Sequence, residues 1–277
     1  MSRIAGPTWG VVGSLAYLAI DRSDTQFETN SCAKQMKQPT LHSLKRLKRL
    51  ARYLVGTQSA RVVLRRPGPD YEQNVAFLRI WSDSDWGGDH RDRKSQSSVK
   101  VEVDGCPLFS ASRKQKARAH SSGEAEFYAA AGATSEGMLI REVLLHSGLE
   151  VKTELLLDSA AARGICRREG VGSIRHLSTK VLWLQQLTKR GVISVGATSS
   201  TENHADLGTK SLPVTRFRLL RGWNGIHIDE GDGGENGEGA DDDDEESETQ
   251  HAAQVSSGEG SVLQALANLL LAVGGCR

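Results

Sequence analysis

The chain has 277 residues, long enough for one large domain or two ordinary ones, and its 38% apolar content is enough to build a core. That excludes a wholly disordered protein, and no apolar run reaches the ~20 residues needed to cross a bilayer. The net charge of +1 averages two opposed segments: residues 1–228 carry 34 Lys and Arg against 21 Asp and Glu, whereas residues 229–277 carry one against 13.

A basic body of net +13 suits a polyanionic partner, because lysine and arginine that neutralise phosphates release condensed counterions. Four cysteines, Cys32, Cys106, Cys166 and Cys276, lie far apart without a Cys-x-x-Cys pair. They fit reduced thiols better than a zinc site or a disulfide framework. An intracellular protein is expected, in cytoplasm or nucleus.

From Gly10 to Leu64 the pattern is helical. Leu44, Leu47, Leu50 and Leu54 recur at spacings of three and four, which predicts an amphipathic helix with a basic outer face, capped by Gly56. The turn-forming stretch "RRPGPDYEQN" is the best internal boundary. Strand signals follow: "VAFLRIWSD", then "SSVKVEVDGCPLFSAS" as a hairpin turning at Asp104 and Gly105, and later "TELLLDS". A long helix is predicted over Ser122 to His146, with Ser121 as cap and Glu124 at capping-box spacing. A further helix over His176 to Arg190 ends at Gly191, and "GVISVGA" reads as a last strand. This order predicts an α/β fold, a mixed sheet covered by helices. After Trp223 the acidic run cannot bury enough apolar area to offset chain entropy, and it is expected to be disordered. A short apolar helix is expected at the terminus.

Four carboxylates stand where elements could bring them together. Asp83 and Asp158 end two strands, which as parallel neighbours would set the acids side by side at the ligand-gathering end of the sheet. Glu126 shares a helix face with Ala129, Ala130, Ala133 and Ile140; small residues let that face lie close to a sheet and aim the acid inward. Asp206 follows the last strand. Converging acids repel unless cations neutralise them, and hard divalent ions such as Mg²⁺ take oxygen ligands. Two such ions ~4 Å apart can activate water and stabilise a leaving phosphodiester oxygen. Arg113, Lys114 and Lys116, between the hairpin and the long helix, are the candidates for phosphate contacts. Arg91, Arg93 and Lys94 are open to the same two readings, phosphate contact or solvation of a loop. Asp85 is expected beside Asp83, Asp89 and His90 to solvate a turn, and His204 to be an exposed helix-start residue.

In order, "SDSDWGGDHRDRKSQSS", "SASRKQKARAHSSGEAEFYAA", "LLLDSAAA", "IRHLSTKVLWLQQL" and "STENHADLGTKSL" resemble the ribonuclease H domain of copia-type retrotransposon polyproteins. Upstream, "GVVGSLAYLAIDRSD" and "LHSLKRLKRLARYLVGT" are similar to the end of the reverse transcriptase in the same polyproteins. The resemblance implies a five-stranded mixed sheet flanked by helices and cleavage of the RNA strand of an RNA–DNA hybrid. It implies Asp83, Glu126, Asp158 and Asp206 as catalytic ligands of two Mg²⁺ ions, with Mn²⁺ able to substitute. An RNA–DNA hybrid is the implied partner, with a separate reverse transcriptase chain as a further one. The implied domains are a helical reverse-transcriptase remnant at 1–66, the ribonuclease H-like domain at 67–222, and an acidic tail at 223–277.

Ser159 stands where that family usually has asparagine, Ser98 where glycine is common, and Ser178 where an acid is frequent. The Tyr-x-Asp-Asp motif of a polymerase palm is absent from the sequence. Two readings of other classes stay open: a catalytically inactive nucleic-acid-binding module, and an interaction protein built around the acidic tail. A transposase or integrase nuclease would also use acids on a related fold, but on duplex DNA.

Overall fold

The computed structural model describes residues 5–64, 74–172 and 182–229. Residues 65–73 of the predicted boundary stretch, His176 and Ser178, and residues 230–277 of the predicted tail, including Cys276, lie outside the described residues.

The N-terminal part holds α1 (Ala5–Leu18), α2 (Gln26–Ala33) and α3 (Leu41–Val55). Thr40 caps α3: its hydroxyl accepts from the Ser43 amide while the Ser43 hydroxyl accepts from the Thr40 amide. Gly56 ends it, as expected. Helix does not run on to Leu64, however. Arg61–Val62 forms β1, which pairs antiparallel with β7 (Ile226–His227) far along the chain. Local pattern cannot show so distant a partner.

The main sheet comprises β2 (Val75–Asp85), β3 (Gln96–Val103), β4 (Cys106–Lys114), β5 (Glu150–Leu157) and β6 (Ser194–Ala197). Their spatial order is β4-β3-β2-β5-β6, with β2, β3 and β4 antiparallel and β2, β5 and β6 parallel. This is the mixed five-stranded sheet expected. The β3–β4 turn falls on Asp104 and Gly105, whose φ values of 52° and 78° are the left-handed pair that a two-residue hairpin requires.

Helices cover both faces. On one lies α4 (Ser122–His146), with α5 (Ala160–Arg167) and α6 (Trp183–Lys189) beside it. Ala76, Leu78 and Ile80 from β2 alternate toward α4 and meet Phe127, Ala130, Ala133 and Leu155 in one core. Gly137 lets α4 close on the sheet: a Cβ there would lie 2.6 Å from Ile80 Cγ1.

The other β2 face carries Trp81 and Asp83, opposite Lys100 and Ser98 of β3. A 3-10 turn (His204–Gly208), α7 (Val214–Trp223) and α2 cover it. This second interface is polar. Gln26 donates to Ser110 O at 3.0 Å, Asn30 to Ser112 O at 2.6 Å, and the buried Lys100 ammonium to Asn224 O at 3.2 Å. His204 is not an exposed helix-start residue: it stacks on Trp81 with ring centroids 4.1 Å apart and its Nδ1 lies 2.7 Å from Glu102 Oε1. None of the helices among the described residues is long and apolar enough to cross a membrane.

Candidate metal centre

Four pieces of backbone meet at the C-terminal end of β2. Parallel pairing sets Trp81 against Leu156, so Asp83 and Asp158, each two residues further on, emerge together from adjacent strand ends. Asp158 lies just past β5, where Arg163 from α5 donates to the carbonyls of Leu157 (2.7 Å) and Asp158 (2.8 Å). Ser159 caps α5 by accepting from the Ala162 amide. Glu126 arrives from the second turn of α4, whose start is fixed by Ser121 accepting from the Glu124 amide. Its Oε1 accepts from the Ser84 amide at 3.3 Å. Asp206 approaches from the opposite face, on the 3-10 turn. Asn203 sets that turn: its Oδ1 accepts from the Ala205 amide and its Nδ2 donates to Ser82 O at 3.1 Å.

The structure brings Asp83, Glu126 and Asp158 together, each offering an oxygen within 4.8 Å of the other two. Asp206 stands outside that group. It is close enough to raise the affinity of Asp83 and Asp158 for a proton, but its own oxygens are held by Lys210 (3.0 Å) and Arg216 (3.3 Å).

Asp83 is 5% exposed and Glu126 9%. Burial, and then the Asp206 charge, push Asp83 up to about 7, against the hydroxyl hydrogen bond it accepts from Thr209 at 2.5 Å. Burial, then the charges of Asp83 and Asp158, push Glu126 up to about 9. Asp158 is raised as well, by burial and then by Asp206. Glu126 Oε2 is buried and has no hydrogen-bond partner among the described residues. An unsatisfied carboxylate oxygen is costly. Beside two further carboxylates, it fits a hard divalent cation, which an all-oxygen donor set favours. The ion chemistry implied by the sequence is therefore compatible with the residues present.

The predicted phosphate-contact residues separate. Arg113 pairs with Glu136, and Lys114 pairs with Asp89 and Asp92, each at 2.7 Å. Lys116 is exposed and has no acidic partner among the described residues. Asp89 does not merely solvate its turn: Lys114, Lys34 and Arg91 surround it, and these cations with the Arg91 amide hold its carboxyl at about 2 despite burial. Asp85 accepts from the Gln96 amide and helps to close the β2–β3 loop.

Over 212 residues the chain is 31% identical to the retrovirus-related Pol polyprotein from transposon RE1 of Arabidopsis thaliana and 30% identical to that from transposon RE2. Both matches cover 76% of this chain. Its homologues are thus copia-type retrovirus-related Pol polyproteins from transposons. The chain spans 14% of the length of each of these two relatives. No protein-family model matches it. Among solved structures it is similar to the N-terminal RNase H domain of a Mycobacterium tuberculosis protein. There the TM-score is 0.34 at 12% identity, covering 53% of this chain and 97% of that one.

Asn203, Thr209, Lys210 and Arg216 shape the site without having been singled out from sequence. Lys210 had a readable signal, four residues after Asp206. Arg216 had none, since its reach to Asp206 depends on how α7 returns to the sheet.

Proposed function

We propose that this chain is a divalent-cation-dependent nuclease of the ribonuclease H kind, cutting the RNA strand of an RNA–DNA hybrid. The observation that supports it is the meeting of Asp83, Glu126 and Asp158 within 4.8 Å, with Glu126 Oε2 unpaired among the described residues. These three would hold Mg²⁺ or Mn²⁺, and Asp206, beside Asp83, would serve a second ion. Bound there, such ions supply Lewis acidity and charge neutralisation for hydrolysis of a phosphodiester.

The remaining roles belong to the chain's own groups. Thr209 fixes the Asp83 carboxyl by donating to Oδ2. Lys210 and Arg216 hold the Asp206 carboxylate in place. The Ser84 amide and the α4 cap orient Glu126, whose high proton affinity in the ion-free site makes ion binding and proton release a linked event. RNA would be told from DNA by contacts to 2′-hydroxyls, with phosphate contacts to the DNA strand. Attack of water on phosphorus with loss of the 3′ oxygen gives a 5′-phosphate and a 3′-hydroxyl.

The test is incubation of purified protein with a hybrid labelled on either strand, with Mg²⁺ or with chelator. Shortening of the RNA strand alone, in Mg²⁺ alone, with 5′-phosphate ends, is the expected result. Binding without cleavage in both Mg²⁺ and Mn²⁺ would instead make the chain an inactive binding module.

A further inference from the structure

Trp86 lies three residues beyond Asp83, where β2 has just ended, and it is 56% exposed. Between residues 78 and 138 no other large apolar side chain is so exposed. Exposure alone is unremarkable. Here, however, the fold fixes the ring: Trp86 Nε1 donates to Ala119 O at 3.1 Å. Ala119 belongs to the segment just before Ser121, the cap of the helix that carries Glu126. The indole therefore bridges the ends of the two elements that supply Asp83 and Glu126, with its surface left to solvent.

The loop behind it is equally constrained. Gly87 adopts φ 65° and donates its amide to Ser95 Oγ at 3.0 Å, and the Asp89 amide donates to Lys94 O at 3.2 Å. Gly88 packs against Asp85, leaving no space for a side chain. On the bridged segment, Lys116 and Arg118 are exposed and have no acidic partner among the described residues. In contrast, Arg113 and Lys114 are neutralised nearby. One rigid aromatic flanked by two unpaired cations, at the rim of an acidic site, is poor in apolar area for a protein partner. It matches a nucleic-acid strand, whose sugars and bases offer apolar faces and whose phosphates offer charge.

We propose that Trp86, Lys116 and Arg118 form a strand-contact surface that seats the nucleic-acid substrate beside the acidic cluster, Trp86 against sugar and base, the two cations against phosphates. This rests on the nuclease reading for the identity of the substrate, but not on its chemistry. Trp86 is a positioning residue: it contacts the strand, and through Ala119 O it fixes the approach of β2 to α4.

The test compares wild type, Trp86→Phe, Trp86→Ala and the double variant Lys116→Gln/Arg118→Gln, measuring hybrid Kd in chelator, KM and kcat in Mg²⁺, and Tm. Trp86→Ala is expected to raise Kd and KM about tenfold, the size of one lost aromatic contact with a nucleotide. Trp86→Phe, which keeps an aromatic face, should restore most of that affinity while losing the Ala119 hydrogen bond. The double variant should flatten the slope of log Kd against log salt by about 1.5 to 2, for two phosphate contacts. Unchanged Kd in Trp86→Ala, or equal loss of Tm and kcat in both Trp86 variants with Kd unaltered, overturns the proposal and reduces the ring to a structural clasp. An unchanged salt slope in the double variant overturns the part assigned to the cations. If wild type binds hybrid but never cuts it, the nuclease reading falls and this surface stands. If wild type cuts while Trp86→Ala binds normally, the reverse holds.

Discussion

Asp83 and Glu126 are held among other acids and largely out of water, so their ionisation works against the fold. Both have folded-state proton affinities raised above those of an unfolded chain, to about 7 and about 9. The stabilising protonated form is fully present below the unfolded values near pH 4 and is lost as pH climbs through the folded ones. The melting temperature of the ion-free protein should therefore fall between pH 5 and pH 9, and Mg²⁺ should flatten the fall because it binds only the folded site. A Tm indifferent to both pH and Mg²⁺ would contradict the geometry. Asp83→Asn should raise Tm in chelator at pH 8 while lowering kcat at least about 100-fold, since charge stabilisation worth several kcal/mol is lost. Equal Tm for the two proteins would show that Asp83 is not under repulsion. At this scale the sequence was informative about acids and poor about their partners. Asp89 looked like a solvated loop acid because the cations around it, Lys34 and Lys114, come from other elements.

Helix α4 carries both the core contact and Glu126, so changes in its seating reach the site. Gly137→Val would press a branched side chain onto Ile80, which is fully buried, and overpacking of this kind costs about 1–3 kcal/mol. Denaturant unfolding should register that loss; an unchanged midpoint would mean α4 can shift without penalty. Ser121→Ala removes the acceptor for the Glu124 amide and should cost about 1 kcal/mol of stability. It should also lower kcat more than it raises KM, because the first turns of α4 orient Glu126. The cap, the small residues facing the sheet and the Asp104–Gly105 turn were legible because each is a local signal. The β1–β7 pairing and the placement of α2 on β4 were not, because their partners lie far away in sequence.

Across the whole molecule, the N-terminal helices and the five-stranded sheet are joined by polar contacts that a hydrophobic pattern does not reveal. Gln26 and Asn30 bond to β4, and Lys34 reaches Asp89; apart from the sheet, an aromatic contact sets Tyr53 edge-on to Phe217 of α7 at 5.7 Å. Replacing both Gln26 and Asn30 with alanine should cost about 1–3 kcal/mol, read as a lower Tm, if this face is held by those bonds. An unaltered Tm would mean the helices ride on the sheet without supporting it. The sequence indicated the sheet, its helices and the acids at its edge because each strand carried alternation and each acid sat at a strand end or helix start. It left Asp206 level with the others, whereas the fold gives it two cationic partners and places it outside the group of three. Whether the proposed group of three works as a nuclease site is tested most directly by a paired assay of wild type and Asp83→Asn on one labelled RNA–DNA hybrid in Mg²⁺. RNA-strand cleavage by wild type alone is expected, with both proteins binding the hybrid comparably. Equal cleavage by the two proteins, or binding without cleavage by either, would contradict it.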